Sequence, residues 1–155
     1  MTQTSLAIVL VEPEIPGNTG NIARTCAAIG ASLHLVHPLG FSISERHVRR
    51  AGLDYWNLLD LIEHKSYEAF ESECAGQQKY YLSTHGTTTY TETDLTDDGL
   101  MLIFGKETAG LGPQILSRHR DRVITIPMRP EARSLNLSNA VAIVAYECMR
   151  QRSFF

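Results

Sequence analysis

Arg133, Ser134, Asn136, Ser138 and Asn139 put five ligand-capable side chains directly ahead of the apolar run from Val141 to Tyr146. A run of that kind belongs on a buried helix, so these side chains gather at the helix's positive N-terminus. Ser138 or Asn139 is expected to cap the helix by accepting its free N–H groups. Ser134 and Asn136 lie upstream of that cap and are expected to remain free to face a ligand. An ornate cap on a core helix would use the same residues, and the segment alone leaves both readings open.

Two further loops carry residues of similar promise. The first runs from Glu12 through Pro13, Glu14, Ile15, Pro16, Gly17, Asn18, Thr19, Gly20, Asn21, Ile22 and Ala23 to Arg24. Gly17 and Gly20 permit close approach of a ligand to the backbone, but no GxGxxG fingerprint is present. Arg24 falls in the second turn of a helix, where an unpaired cation gains nothing from the macrodipole. It is either a planar fork for a phosphate or carboxylate, or a salt-bridge partner of Glu12 or Glu14. The second loop, Phe104 to Pro113, holds Gly105, Gly110 and Gly112, and Glu107 adds an acceptor. Its Gly-Lys-Glu-Thr is superficially like a P-loop, yet the GxxxxGK[ST] order is missing. A plain turn with a solvated glutamate is the alternative. No Ser-His-Asp or Cys-His arrangement marks a nucleophilic hydrolase.

Each loop follows a segment that reads as a buried strand. Leu6–Val11 is a continuous apolar run of strand length, and Ser32–Val36, Lys79–Ser83, Leu100–Phe104 and Val123–Met128 also read as strands. Helices are expected from Asn18 or Thr19 to Ile29, ended by Gly30, and from Ser44 to near Gly52. Others are expected from Ser66 to about Ala75, for a short stretch from Pro113, and from Ser138 to Arg152. Tyr55 to Glu63 is ambiguous, and Thr84 to Asp98 reads as a long polar loop. This alternation predicts a single α/β domain over residues 1–155, with a mostly parallel sheet and helices on both faces. Ligands of such sheets bind beyond the carboxyl ends of the strands, where the three loops fall.

On the last helix, Val141, Val144, Ala145 and Cys148 form one stripe, and Ala140, Ala142 and Ile143 carry apolar surface around the rest. Such a helix needs cover on more than one side, from the sheet and a neighbouring helix or from a second subunit, and a homodimer is the favoured expectation.

Composition narrows the function classes. The chain has 155 residues, 43% hydrophobic and 20% charged, with a net charge of −3. That balance argues against non-specific coating of nucleic acid. Basic residues nevertheless cluster at Arg46, His47, Arg49 and Arg50, and again at Arg118, His119, Arg120 and Arg122. These are either solvated surface or a small patch for a nucleic-acid loop. No basic leader or membrane-length apolar run is seen, so a cytoplasmic location with no membrane partner is expected. Cys26, Cys74 and Cys148 lack disulfide or zinc spacing, Cys26 and Cys148 read as core fillers, and no metal is expected.

Taken in order, the three loops resemble the three motifs of the SPOUT superfamily of RNA methyltransferases. The nearest likeness is to its minimal branch, the TrmL or YibK-like tRNA ribose 2′-O-methyltransferases. Asn18 to Arg24 is similar to the first motif and Phe104 to Leu111 to the second. Ile126-Pro127-Met128 with Arg133 to Ala140 is similar to the third, and Arg49 to Tyr55 also matches.

The resemblance implies a parallel sheet with a deep C-terminal trefoil knot, although knots are almost absent from proteins in general. It also implies a dimer pairing the first and last helices, and S-adenosylmethionine as cofactor. Cofactor-binding residues would be Leu82, Gly105, Ile126, Ser134 and Leu135. Catalytic residues would be Asn18, Arg24, Glu107, Ser134 and Asn136. The substrate implied is the wobble nucleotide 34, cytidine or modified uridine, in the anticodon loop of leucine tRNAs. Arg24, Arg46, Arg49 and Arg50 are the candidates for RNA contact. Arginine normally stays protonated, so Arg24 is expected to clamp a phosphate rather than act as the base. The rival expectations are methylation at another RNA position, a non-catalytic RNA-binding knot protein, and an unrelated enzyme of a small phosphorylated metabolite.

Overall fold

The apolar runs do become strands, and every ladder among the described residues is parallel. The structure is a computed structural model and describes residues 5–44 and 55–154. Strands β1 (Leu6–Val11), β2 (Ser32–Val36), β3 (Asp60–His64), β4 (Lys79–Leu82), β5 (Thr88–Thr89), β6 (Leu100–Phe104) and β7 (Val123–Thr125) form one sheet. Its order is β3-β2-β1-β6-β4-β7-β5. The central pairings set Ile8 opposite Leu33 and Leu102, and Leu10 opposite Leu35 and Phe104.

Side chains alternate across a pleated strand, so the two faces of β1 enter two cores. Leu6, Ile8 and Leu10 pack with Leu33, Leu35, Leu100 and Leu102 beneath helices α1 (Pro16–Ile29) and α4 (Leu137–Gln151). Ala7, Val9 and Val11 pack with Met101, Ile103, Phe70 and Tyr81 beneath α2 (Tyr67–Glu73) and α3 (Pro113–Arg118). This is the expected doubly covered parallel sheet. Truncating Ile8 or Leu102, both fully buried, would cost about 2–5 kcal/mol.

The helices obey local rules, with two corrections at their starts. Helix α1 begins at Pro16, two residues before the expected cap, because proline at the first helical position is already set for helical φ. Helix α4 is capped by Asn136, not by Ser138 or Asn139. Gly30 closes α1 in the left-handed region at φ 74°, and Ser66 caps α2 by accepting from Ala69 N–H, both as expected.

The ambiguous stretch resolves into a 3₁₀ turn at Trp56–Leu58 followed by β3. The expected polar loop over 84–98 contains β5 and a 3₁₀ turn at Tyr90–Glu92, since β7 offers β5 a parallel edge. Strand β7 ends at Thr125 rather than Met128. The helix expected from Ser44 to Gly52 lies largely outside the described residues. On α4, Val141, Val144, Ala145 and Cys148 are fully buried, while Ile143 on the other side is 37% exposed. Among the described residues, no helix is long and apolar enough to cross a membrane.

Candidate active site

In the strand order, the chain winds outward from β1 through β2 to β3, crosses to β4 on the other side, and later inserts β6 between β1 and β4. A crevice therefore opens beyond the carboxyl ends of β1 and β6. A cavity of about 550 Å³ occupies this end of the sheet. That volume falls within the range of small-molecule sites. Its walls come from Ile15 and Asn18 after β1, Leu82 to His85 at and after β4, Phe104 to Leu111 after β6, and Thr125, Ile126 and Met128 after β7. Arg133 to Leu137 and Ala140 complete it.

All five expected cofactor residues, Leu82, Gly105, Ile126, Ser134 and Leu135, line this one cavity. So do four of the five expected catalytic residues, Asn18, Glu107, Ser134 and Asn136. Arg24 is not among the lining residues. It sits two turns along α1, exposed, with its guanidinium 4.9 Å from the Tyr55 ring centroid. Glu12 and Glu14, its alternative partners, are engaged elsewhere, by Lys106 at 3.6 Å and by Thr108. The salt-bridge reading of Arg24 therefore fails, and the cation stacks on an aromatic face instead.

Two carboxylates lock the first loop to the second. Glu107 accepts from Glu14 N–H at 2.7 Å and from Ile15 N–H at 3.3 Å, satisfying backbone donors at the start of α1. In return, Glu14 accepts from the Thr108 amide at 3.0 Å and from its hydroxyl at 2.7 Å. These two donors hold the Glu14 carboxyl below its ordinary value. The sequence offered Glu107 as a free acceptor; in the fold it braces the helix that carries Asn18. Glu14 escaped sequence reasoning because its partner lies 94 residues away.

Asn136 requires the same correction. Its Oδ1 accepts from the Ser138 and Asn139 amides at 2.9 and 3.3 Å, and from the Ser138 hydroxyl at 2.5 Å. It is the cap, since the helix begins at Leu137, two residues earlier than a Ser138 cap would set it. Its Nδ2 remains available and donates to Asn18 Oδ1 at 3.1 Å. Asn18 is 7% exposed, and its own Nδ2 has no partner among the described residues. Ser134 is exposed and free of hydrogen bonds there, as expected of a ligand-facing hydroxyl.

Gly105 cannot be replaced without moving the loop. A Cβ there would stand 2.1 Å from Gly110 C and 2.2 Å from Leu111 N. Gly110 itself lies at φ 64°, where other residues are strained. The loop is thus a tight, backbone-rich wall.

The second basic cluster lies at the other end of the sheet, before β7. Arg118 and His119 both approach Glu71 at 3.4 Å, and Arg122 lies over Tyr80. These residues are committed to α2 and β4, which is the solvated-surface reading. Arg46, Arg49 and Arg50 fall outside the described residues. Cys26 and Cys148 are fully buried, and burial pushes the Cys26 thiol up to about 12, as suits a core filler.

The model of the SpoU rRNA methylase family matches residues 5–146. The chain belongs to the SpoU methylase family. A tRNA (cytidine(34)-2'-O)-methyltransferase of Saccharophagus degradans is 47% identical over 148 residues, covering 95% of this chain and 96% of the relative. A structure solved for insight into 2-OH methylation of C/U34 on tRNA superposes with a TM-score of 0.93 at 42% identity, covering 99% of each chain. The SpoU methyltransferase AviRb of Streptomyces viridochromogenes, in complex with its cofactor AdoMet, superposes with a TM-score of 0.85 at 26% identity. This chain is covered in full there, but only 63% of AviRb. For this member of the family, the parallel sheet expected from the resemblance is therefore seen directly.

Proposed function

We propose that this SpoU-family chain transfers a methyl group from S-adenosylmethionine to the ribose 2′-OH of nucleotide 34 in tRNA, with leucine tRNAs as substrates. The observation that carries the reading is the single cavity shared by Asn18, Leu82, Gly105, Glu107, Ile126, Ser134, Leu135 and Asn136. End-to-end similarity to the relative and the structure concerned with C34 or C/U34 favours tRNA over a longer RNA target.

The lining suits the cofactor. Leu82, Phe104, Ile126 and Leu135 offer apolar surface for a purine, and the Gly105–Gly110 turn offers backbone polar groups at close range. When bound, S-adenosylmethionine supplies an electrophilic methyl group on a sulfonium. Leu82, Gly105, Ile126, Ser134 and Leu135 would hold it.

The remaining residues position the acceptor. A ribose hydroxyl is a weak acid, so its attack needs both alignment and an acceptor for its proton. Asn18 and Ser134, which both line the cavity, supply the donors that orient the sugar. Asn136 fixes Asn18, and Glu107 fixes the helix start from which Asn18 projects. Arg24, outside the cavity, clamps the phosphate beside the target ribose. The Arg24 cation lowers the hydroxyl pKa, or the clamped phosphate serves as the proton acceptor. Arg46, Arg49 and Arg50 add phosphate contacts.

In the same reading, residues 1–155 form a single cytoplasmic domain. The segment after β7 threads the family's trefoil knot to bring Ser134 to the cavity. A second copy covers the apolar side of α4 around Ile143 and the neighbouring start of α1 at Ile15, which is 48% exposed.

Methyl transfer from labelled donor to tRNA, mapped by mass spectrometry of ribose methylation, tests the reading. Label at nucleotide 34 is the expected result. Label elsewhere moves the site of action, and absence of label with retained RNA binding makes the chain a non-catalytic binder.

A further inference from the structure

Far from the cavity, the fold assembles a group that sequence spacing did not announce. His34 lies on β2, His64 ends the edge strand β3, and Cys74 caps the C-terminus of α2. One donor atom from each lies within 4.8 Å of the other two, and all three residues are buried. They share the sheet face that packs on α2, where Phe70 meets the His64 ring edge-on at 5.2 Å. None of them lines the cavity.

The hydrogen bonds around the group prepare it for a metal ion. Glu73 Oε2 lies 2.5 Å from His64 Nδ1, so that nitrogen carries the proton and the lone pair on Nε2 faces inward. His34 Nδ1 meets that lone pair at 2.8 Å, with the two ring planes only 12° apart. A carboxylate holding the outer nitrogen of a ligating imidazole is the usual support of a zinc histidine. On the other side, Lys79 Nζ donates to the Cys74 carbonyl at 2.5 Å, placing a cation beside the thiol.

We propose that His34 Nδ1, His64 Nε2 and Cys74 Sγ form a site for Zn²⁺ that ties β3 and α2 to the sheet. Two imidazoles and a thiolate are the donor set of a borderline-soft divalent ion, which completes tetrahedral coordination with a water. Ligands about 2.05 Å from such an ion stand about 3.3 Å apart, so the two nitrogens must part by roughly half an ångström and each ring, now aimed at the other, must turn by roughly 35°. The site gives up one N–H···N bond for two N–Zn bonds and one S–Zn bond. The proton on His34 Nδ1 passes to its Nε2, both imidazoles stay neutral, and the Cys74 thiol releases one proton to solvent. The ion is structural and takes no part in methyl transfer.

Tag-free protein stripped with a chelator and titrated with Co²⁺ tests the site. One equivalent per chain should produce a thiolate-to-cobalt charge-transfer band and tetrahedral d–d bands. Zn²⁺ should then abolish them, and one proton should be released per ion bound. At a hundredfold excess over its Kd, Zn²⁺ should raise Tm by about 5–10 °C. Cys74→Ser should lose the charge-transfer band, and His64→Gln should weaken Co²⁺ binding at least about tenfold. A wild-type chain without the band overturns the proposal, as does a band that survives in Cys74→Ser. The wild-type titration decides even if a variant fails to fold. In that negative case His34, His64 and Glu73 are a hydrogen-bonded chain beside Cys74 and nothing more.

Discussion

Asn136 Nδ2 donates to Asn18 Oδ1 at 3.1 Å, joining residues 118 positions apart at the starts of two helices packed side by side. The contact has two functions at one residue. Oδ1 of Asn136 stabilises α4, while its Nδ2 sets the amide of Asn18 that faces the cavity.

Those functions are separable by mutation. Asn136→Ala should lose about 0.5–2 kcal/mol of stability, the usual cost of an emptied cap. Asn136→Asp keeps the capping acceptor but sets a carboxylate against Asn18 Oδ1. It should denature within about 0.5 kcal/mol of wild type and yet transfer methyl groups far more slowly. Denaturant midpoints and single-turnover rates, measured on both variants, check the split. Equal losses of stability and rate in both would mean that the Asn18 contact has no separate role.

Gly105→Ala should spare the sheet and damage the cavity. Its Cβ would meet backbone atoms of Gly110 and Leu111 within 2.2 Å, so the loop must move. Overpacking of that kind costs about 1–3 kcal/mol, which predicts roughly a 5- to 150-fold weaker Kd for S-adenosylhomocysteine. Calorimetric titration reads it, and wild-type affinity would refute this account of the loop.

Arg24 lies off the cavity and should therefore act on RNA alone. Arg24→Ala should leave the S-adenosylhomocysteine Kd unchanged while raising the KM for tRNA. The slope of log Kd for tRNA against log salt should fall by about 0.7 to 1, because one phosphate is no longer neutralised. Arg24→Lys should restore the salt slope but not the planar fork. An unaltered slope in Arg24→Ala would remove Arg24 from the RNA interface.

The brace between Glu14 and Thr108 should be acid-labile. Thr108 holds the folded Glu14 carboxyl below its ordinary 4.5 by donating to the ionised form. The stabilisation is therefore complete above about pH 4.5, and it is lost as pH falls through the lowered folded value. Between pH 5 and pH 3, Tm should fall less steeply in Thr108→Val than in wild type. Parallel curves would show that the brace does not titrate.

A homodimer through α1 and α4 should appear in sedimentation equilibrium of the wild-type chain. Ile143→Asp, on the open side of α4, should shift it toward monomer without lowering helix content. A monomeric wild-type chain at micromolar concentration would leave that helix face unexplained.

Strand positions, helix faces and the three loops were legible because they rest on local chemistry. Apolar runs of strand length, a 3.6-residue stripe from Val141 to Cys148, proline starts and Gly30 act over a few residues each. The motif resemblance added the family and named residues that do line one cavity. Tertiary structure decided where side chains spend their hydrogen bonds. Asn136 became a cap, Glu107 a brace, and Arg24 a cation stacked on Tyr55, because their partners sit beyond any local window. It also brought His34, His64 and Cys74 together from β2, β3 and α2, since parallel strands align residues that the chain separates. Sequence periodicity tells which face a residue occupies, but only the assembled sheet tells which distant residue waits there.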